Sequence, residues 1–444
     1  MSKWATYKLG DCISLVIDNR GKTPPLSNTG YELIEVASIT NKKKNPDYTK
    51  ISKFVSTDTF NSWFRKGHPK CGDILIPTVG SLGNVAILSE DRGCIAQNLI
   101  ALRAKTEILS PDFLYYFLND KTIRNKILSL DIGSVQPSLK VPHLLNLKIS
   151  LPSLEQQEKI SYILGNLDEK IELNTQINQT LEQIAQAIFK SWFIDFDPVH
   201  TKAESLTRGE TEHQANLAAM AVISGKSSAE LDRLQTEEPK RFEMLYKVAE
   251  AFPSGIGENG LPLGWETKKI GEIAQFVKGK KPKHISENPN NGYLPHILMA
   301  TISGNQIEYA QIERSVICEI TDTLILMDGS ASGKVFIGFN GVIGSTLAKM
   351  NLANKKYWAL LNQYLKYQES DIQAHTTGTS IPHTDKSRVL NYEFIIPSDD
   401  LILFFNELLL NSIKKIIENK ENSSLLEKIR DELLPKLLGG EIQL

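Results

Sequence analysis

Glycines, carboxylates, histidines and thiols are the residues whose spacing could place chemistry here, and each set lacks the context its chemistry needs. Gly255, Gly257 and Gly260 spell G-x-G-x-x-G, which in a nucleotide or methyl-donor site follows a strand and opens a helix so that amides point at phosphate. Leu261-Pro262-Leu263-Gly264-Trp265 comes next and cannot begin that helix, so the glycines read as linker. Asp399 or Asp400 with Glu418, Asn419 and Lys420 has the content of a nuclease site. Metal-binding carboxylates converge from neighbouring strands onto a hydrated Mg²⁺, whereas these fall along one predicted helix as a solvated face. Asp197-Pro198-Val199 is a distant echo of the Asn/Asp-Pro-Pro-Tyr motif of amino-methyltransferases. The eight histidines, His68, His143 and His296 among them, show no H-E-x-x-H pattern, and Cys12, Cys71, Cys94 and Cys318 lack the paired spacing that gathers thiolates around zinc. No catalytic residue, metal site or cofactor is expected in this chain.

A second kind of chemistry is recognition of nucleic acid. Arg, Lys, Asn and Gln can fork onto purine edges, while phosphate needs only Lys, Arg, Ser or amides. In the first half of the chain the candidates are Lys42, Lys43 and Lys44, then Ser81 and Asn84 in a Gly-Ser turn, Gln97 with Asn98, and Ser134 with Gln136. In the second half they are Lys278, Lys280, Lys281, Lys283 and His284 in VKGKKPKH, then Ser330, Ser332 and Lys334 in GSASGK. A solvated loop would carry the same lysines, and a tight turn between strands wants Gly and Ser for its own reasons.

The two Gly-Ser turns fall in matching places because the sequence repeats itself. Trp4 with Leu9-Gly10-Asp11 matches Trp265 with Ile270-Gly271-Glu272, and LIEVASIT (33–40) matches HILMATIS (296–303). DILIPTVGSLGNVAI (73–87) matches TLILMDGSASGKVFI (323–337), each a strand, a tight turn and a strand. GSVQPSL (133–139) then aligns with GTSIPHT (378–384), where 378 − 133 gives an offset of 245 that holds to the end of the chain.

At that offset Ile160, Ile163, Ile171, Asn174, Leu181, Ile184 and Ile188 pair with Phe405, Leu408, Ile416, Asn419, Leu426, Ile429 and Leu433. Spacings of three and four make each set an apolar helical stripe. Ser153 and Gln156 form a capping box for the first helix, Ser398 with two aspartates starts the second, Pro198 is expected to stop the first and Gly439-Gly440 the second. An Asn on each stripe costs stability but fixes alignment, which favours a helix pair over two helices packed separately.

The expected fold is therefore two domains in an internal duplication, each followed by a long helix, with the two helices paired as a coiled coil. Its parts are a first domain at 1–152, a central helix at 153–198, a connecting segment at 199–260, a second domain at 261–397 and a C-terminal helix at 398–444. At 444 residues several domains are expected. With 50 basic and 52 acidic side chains, no global field attracts the chain to nucleic acid, so binding must come from local patches or a basic partner. The absence of a long apolar run or of a signal-like opening leads to the expectation of a cytoplasmic protein with no membrane partner.

GSVQPSL leading into LPSLEQQEKI (151–160), SWFIDFDPV (191–199), LPLGW (261–265) and LLPKLLGGEI (433–442) together resemble the specificity subunits of type I restriction-modification enzymes over essentially the full length. The second half departs from that pattern, since GTSIPHT lacks the glutamine and Asp399-Asp400 replaces the usual Glu-Gln. The resemblance implies two target-recognition domains of α/β (α+β) character, joined by two long α-helices that pack antiparallel, each domain reading one half of a split double-stranded DNA target. It implies helices that dock two modification (methyltransferase) subunits, to which ATP-dependent restriction subunits are added. S-adenosylmethionine, ATP and Mg would then reside on the partners, and this chain would be non-catalytic by itself. Because the halves differ in sequence, the target should be asymmetric. An enzyme with a divergent nuclease or methyltransferase site, or a protein-binding scaffold, are the other readings the residues leave open.

Overall fold

The computed structural model describes residues 4–40, 43–131, 133, 137–304, 308–378, 381–442 and 444. Lys42, Ser134 and Gln136 lie outside them. The chain divides into two compact units, Met1–Thr175 with Lys420–Leu444, and Gln176–Asn419.

In the first unit a four-stranded antiparallel sheet runs in the order Ile13–Ile17, Leu99–Ala104, Ile74–Pro77, Ala86–Ile87. Its register pairs Ile17 with Ala101 and Pro77 with Leu99, so the end of two strands and the start of a third share one edge of the sheet. Successive residues point to opposite faces. Ile74, Ile76, Ile100 and Leu102 pack against Phe113, Leu114 and Phe117 of the helix Pro111–Asn119, while Leu75, Leu99 and Ala101 face Ile34, Ile39 and Ile95. Cover on both faces explains why Ile74–Pro77 is apolar throughout and not alternating. A smaller sheet pairs Tyr31–Ile34 antiparallel with Phe54–Val55 and parallel with Cys94–Ile95. Ala5–Lys8 pairs with Lys148–Leu151, immediately before the central helix.

The second unit repeats this plan. Its four-stranded sheet runs Ala274–Lys278, Leu347–Leu352, Leu324–Leu326, Val335–Phe336, and Tyr293–Ile297 again pairs parallel, here with Gly341–Ile343. Glu266–Lys269 pairs with Glu393–Ile396 as the counterpart of the pair that precedes the central helix.

Two helices of 40 residues each, Leu154–Phe193 and Asp399–Leu438, carry the seam. Its inward positions alternate three and four apart: Gln157, Ile160, Leu164, Leu167, Ile171, Asn174, Asn178, Leu181, Ala185, Ile188, Trp192. Their equivalents 245 further on run from Ile402 and Phe405 to Leu433 and Leu437, and none of these residues is exposed. This is a heptad repeat. The pairing is antiparallel: Asp168 meets Arg430 and Asn174 meets Ser423 in the first unit, and Asn178 meets Asn419 while Phe189 packs on Phe405 in the second. The two asparagine bonds are equivalents, since Asn174 Nδ2 donates to Ser423 Oγ at 3.2 Å and Asn419 Nδ2 to Asn178 Oδ1 at 2.9 Å.

Two stripe assignments are corrected. Ile184 and Ile429 are 47% and 38% exposed, and the seam passes through their neighbours Ala185 and Arg430. Apolar residue type favours isoleucine over alanine or arginine, but the seven-residue period decides which position faces inward. Ile163 and Leu408 flank the seam half-buried. Pro198 does not stop the central helix, which ends at Phe193; it lies in the first turn of the next helix, Asp197–Thr207, where its missing N–H costs nothing. The N-cap Ser153 hydroxyl accepts from the Gln156 N–H at 3.3 Å, and Gly440 closes the C-terminal helix at φ 68°.

The connecting segment is helical: Asp197–Thr207, Glu212–Ser224, Ser228–Glu237 and Pro239–Ala251. Capping boxes, Thr211 with Gln214 and Ser227 with Glu230, start two of them. The buried Lys202 ammonium donates to the carbonyls of Ala249 and Phe252 at 3.2 and 2.6 Å, satisfying the end of the last helix. Gly255, Gly257 and Gly260 lie in a turn closed by Gly257 N–H to Leu261 O at 2.8 Å, with no helix behind it.

Candidate nucleic-acid interface

At the shared sheet edge of the first unit the loop after Ile17 carries Arg20, Lys22 and Thr23, the residues before Leu99 are Gln97 and Asn98, and the turn after Pro77 carries Ser81 and Asn84. Hydrogen bonds tie them together. Gln97 Nε2 donates to Thr23 Oγ1 at 2.6 Å, and Thr78 N–H to Asn98 O at 2.8 Å. The G-S-x-Q-P-S-L motif contributes its described end, where Gly80 N–H donates to Pro137 O and Leu139 N–H to Thr78 O, at 2.9 and 2.8 Å. Pro137-Ser138-Leu139 thereby pins the Gly-Ser turn in place. Asn98 is exposed at φ 65°, a conformation asparagine tolerates better than most residues.

The second unit builds the same edge. Gly329 N–H donates to Pro382 O at 3.0 Å, Thr384 N–H to Met327 O at 2.9 Å, and Gly279 N–H to Leu347 O at 2.9 Å. Lys278 Nζ lies 2.9 Å from one oxygen of Asp328, and His383 Nδ1 lies 2.8 Å from the other. Burial pushes the Asp328 carboxyl up, but hydrogen bonds from Lys278 and His383 outweigh it and hold the group below the usual carboxylate range. Lys280, Lys281, Lys283 and His284 are exposed beyond that anchor, as are Ser330 and Lys334.

Other candidates take structural roles. Lys44 is half-buried, 2.7 Å from Asp112 and about 5.5 Å from the centre of the Tyr116 ring. Lys43 pairs with Asp47 at 3.0 Å. Asn84 Nδ2 donates to Ile39 O at 3.1 Å and its Oδ1 accepts from Arg124, which braces the turn from behind. Ser332 is buried, so its side chain does not reach the surface.

Arg20, Lys22, Ser345 and Thr346 lie at these sheet ends without having been candidates by residue type. The repeat could have found them. Arg20-Gly21-Lys22-Thr23-Pro24 begins three residues after its strand ends at Ile17, the similar Lys278-Gly279-Lys280-Lys281-Pro282 begins at the last residue of its strand, and Gln97-Asn98-Leu99 aligns with Ser345-Thr346-Leu347.

Among the described residues, no group of three or more His, Cys, Asp and Glu side chains is placed to hold a metal ion. Asp399 and Glu418 lie on one helix and pair with Lys356 and Lys415 at 2.6 and 3.0 Å. No helix among the described residues is long and apolar enough to cross a membrane.

Each unit thus holds one copy of a duplicated α/β domain with a basic loop cluster at one end of its main sheet, and each copy is followed in the chain by one long helix. Residues 1–183 and 262–428 match the type I restriction modification DNA specificity domain. The chain is 30% identical to the type I restriction enzyme HindI specificity subunit of Haemophilus influenzae, with all of both chains covered. It is 26% identical to the MjaIX specificity subunit of Methanocaldococcus jannaschii, covering 84% of this chain and 78% of that one. The crystal structure of a type I restriction-modification S subunit from M. genitalium superposes with a TM-score of 0.54 at 18% identity, covering 98% of this chain and 96% of that chain, and shows the same fold. The chain belongs to the family of type I restriction-modification specificity subunits.

Proposed function

We propose that this chain reads a bipartite, asymmetric DNA target, one half with each loop cluster, and holds two modification subunits and the restriction subunits on its helices. The observation that carries the reading is the repetition of one loop architecture with different residues. Arg20, Lys22, Thr23, Gln97 and Asn98 lie at one end of the first sheet, and Lys280, Lys281, Ser345 and Thr346 lie at the matching end of the second, just beyond the strand residue Lys278. Like turns flanked by unlike side chains suit two half-sites of unequal sequence. Methyl transfer and ATP-driven cleavage belong to the partners, with S-adenosylmethionine, ATP and Mg²⁺ bound there, and the complex works in the cytoplasm.

Replacing Lys280, Lys281 and Lys283 by Ala tests the interface. The complex with the modification subunits should bind target duplex more weakly with the methylated sequence unchanged. The slope of log K against log salt should flatten by about 0.9 for each phosphate that a lysine no longer neutralises. An unchanged slope would assign these lysines to solvent. Methyl transfer or cleavage by the purified chain alone would instead favour an enzyme.

A further inference from the structure

The first recognition domain carries an element that its counterpart lacks. Between the strand ending at Val55 and the strand starting at Ile74, the chain forms the helix Thr57–Ser62 and then the turn Trp63–Lys70, W-F-R-K-G-H-P-K. The corresponding stretch of the second domain, 312–323, has one basic and three acidic residues, whereas 56–73 has three basic and two acidic.

The turn is held rigidly. Phe60 stacks on Tyr31 at 3.8 Å and on His68 at 3.6 Å, with interplanar angles of 14° and 3°. His68 Nε2 lies 2.8 Å from Phe60 O, and Phe64 is buried beneath. Gly67 N–H donates to Phe64 O at 3.0 Å with Gly67 at φ 74°, closing a tight turn whose two central residues are Arg65 and Lys66.

Asn19 binds this turn to the recognition loop. Its side chain is buried, accepts from the Lys66 N–H at 3.0 Å and donates to Gly67 O at 3.0 Å, and the next residue along its own chain is Arg20. Lys66 is near enough to Asp18 to help hold that carboxyl below the usual range, after the dominant hydrogen bond from Arg20. Arg65, Lys66, Lys70 and Lys22 are exposed, and none has an ion-pair partner among the described residues. Four exposed cations outside any ion pair among the described residues, two of them on a preorganised turn, are built to meet an extended anion.

We infer that the Trp63–Lys70 turn is a duplex-backbone clamp, in which Arg65 and Lys66 hold phosphates flanking the bases that the first recognition loop reads. This rests on the proposed DNA-reading function and deepens it. The first half-site is then gripped through a turn that the second domain lacks, while sequence choice stays divided between both.

The test uses the full chain in complex with the modification subunits, binding a duplex that carries its methylated target and a scrambled duplex, over a range of salt. Arg65→Ala/Lys66→Ala should flatten the salt slope by about 1.8, two phosphates at about 0.9 each, on both duplexes, with the melting midpoint and methylated sequence unchanged. Asn19→Ala keeps every cation and frees the turn, so it should weaken binding with a smaller change in slope. A full wild-type slope in Arg65→Ala/Lys66→Ala, while Lys280→Ala/Lys281→Ala flattens it, would overturn the clamp and leave the proposed interface standing. Unchanged slopes in both would overturn the interface as well. An unchanged slope with loss of the modification subunits would assign the turn to an acidic protein surface.

Discussion

Gln157 shows how the first recognition domain is fixed to its helix, and its replacement gives a magnitude that can be worked from the structure. It occupies a seam position one turn into the central helix and is fully buried. Its Oε1 accepts from the Ser110 N–H at 2.9 Å, and its Nε2 donates to Ile108 O at 2.9 Å and Pro152 O at 3.0 Å. The equivalent residue 245 further on is Ile402, buried among apolar side chains, so one joint is polar and the other greasy. Gln157→Leu keeps the volume and deletes three hydrogen bonds, each worth about 1 kcal/mol net, for a loss of about 3 kcal/mol. In a unit of roughly 200 residues that corresponds to a fall in melting midpoint of about 6–12 °C. Gln157→Glu turns the group facing two carbonyls from donor to acceptor. Burial should raise its carboxyl above the free value of about 4.3. The folded state then holds a proton that the unfolded state has released, so the variant should lose stability as pH rises from about 4 to 8 relative to wild type. Thermal and urea unfolding of the full chain at several pH values measures both. A loss below about 1 kcal/mol for Gln157→Leu, or a flat pH difference for Gln157→Glu, would refute the assignment of this side chain as a three-point joint.

Other consequences follow from single contacts. Two hydrogen bonds of 2.9 Å from Arg388, with a third from Tyr392, hold the Asp371 carboxyl down to about 2. Its contribution should therefore be complete above about pH 4 and fade as pH falls towards 2, so the urea midpoints of wild type and Asp371→Asn should converge on acidification; a constant gap would deny the ion pair. Arg430 sits on the seam with Asp168 at 2.8 Å, and Asp168 also accepts from the Tyr116 hydroxyl at 2.8 Å. Arg430→Ala should cost about 2 kcal/mol, below the usual 3–5 for a buried pair because both groups are partly exposed, and should cost more than Ile429→Ala one residue away; the reverse order in urea unfolding would restore Ile429 to the seam. Inserting seven residues after Asn174 and seven after Asn419 keeps the heptad and lengthens each helix by about 10 Å. The unread spacer between half-sites should then grow by about three base pairs at 3.4 Å each, whereas unchanged spacing in mapped methylation sites would deny that helix length sets it.

The architecture was legible because duplication offers each signal twice. Matching strand–turn–strand segments and the constant offset of 245 located both domains and both helices. The seam register was less legible at 184 and 429. The inward residues there are Ala185 and Arg430, and Arg430 is recognisable only beside Asp168, 262 residues away. Individual candidates for DNA contact were the least legible. Lys44 and Asn84 have a surface vocabulary but are engaged by Asp112 and by Ile39 O, partners that the local sequence does not announce. Arg20 and Lys22 were overlooked because a lone R-G-K is weaker than a run of lysines, although Lys278-Gly279-Lys280 repeats its pattern near the matching strand end. The connecting helices carried readable capping boxes at Thr211 and Ser227 inside a polar stretch that otherwise resembled a linker.

The central claim is that each domain reads its own half of the target. Residues 1–150 should be exchanged for the equivalent domain of a relative with a different specificity, and methylated sites mapped across the host genome. One half of the methylated sequence should change to that of the donor while the other half remains. A methylated sequence that stays wholly the same, or changes in both halves at once, would contradict modular reading by the two domains.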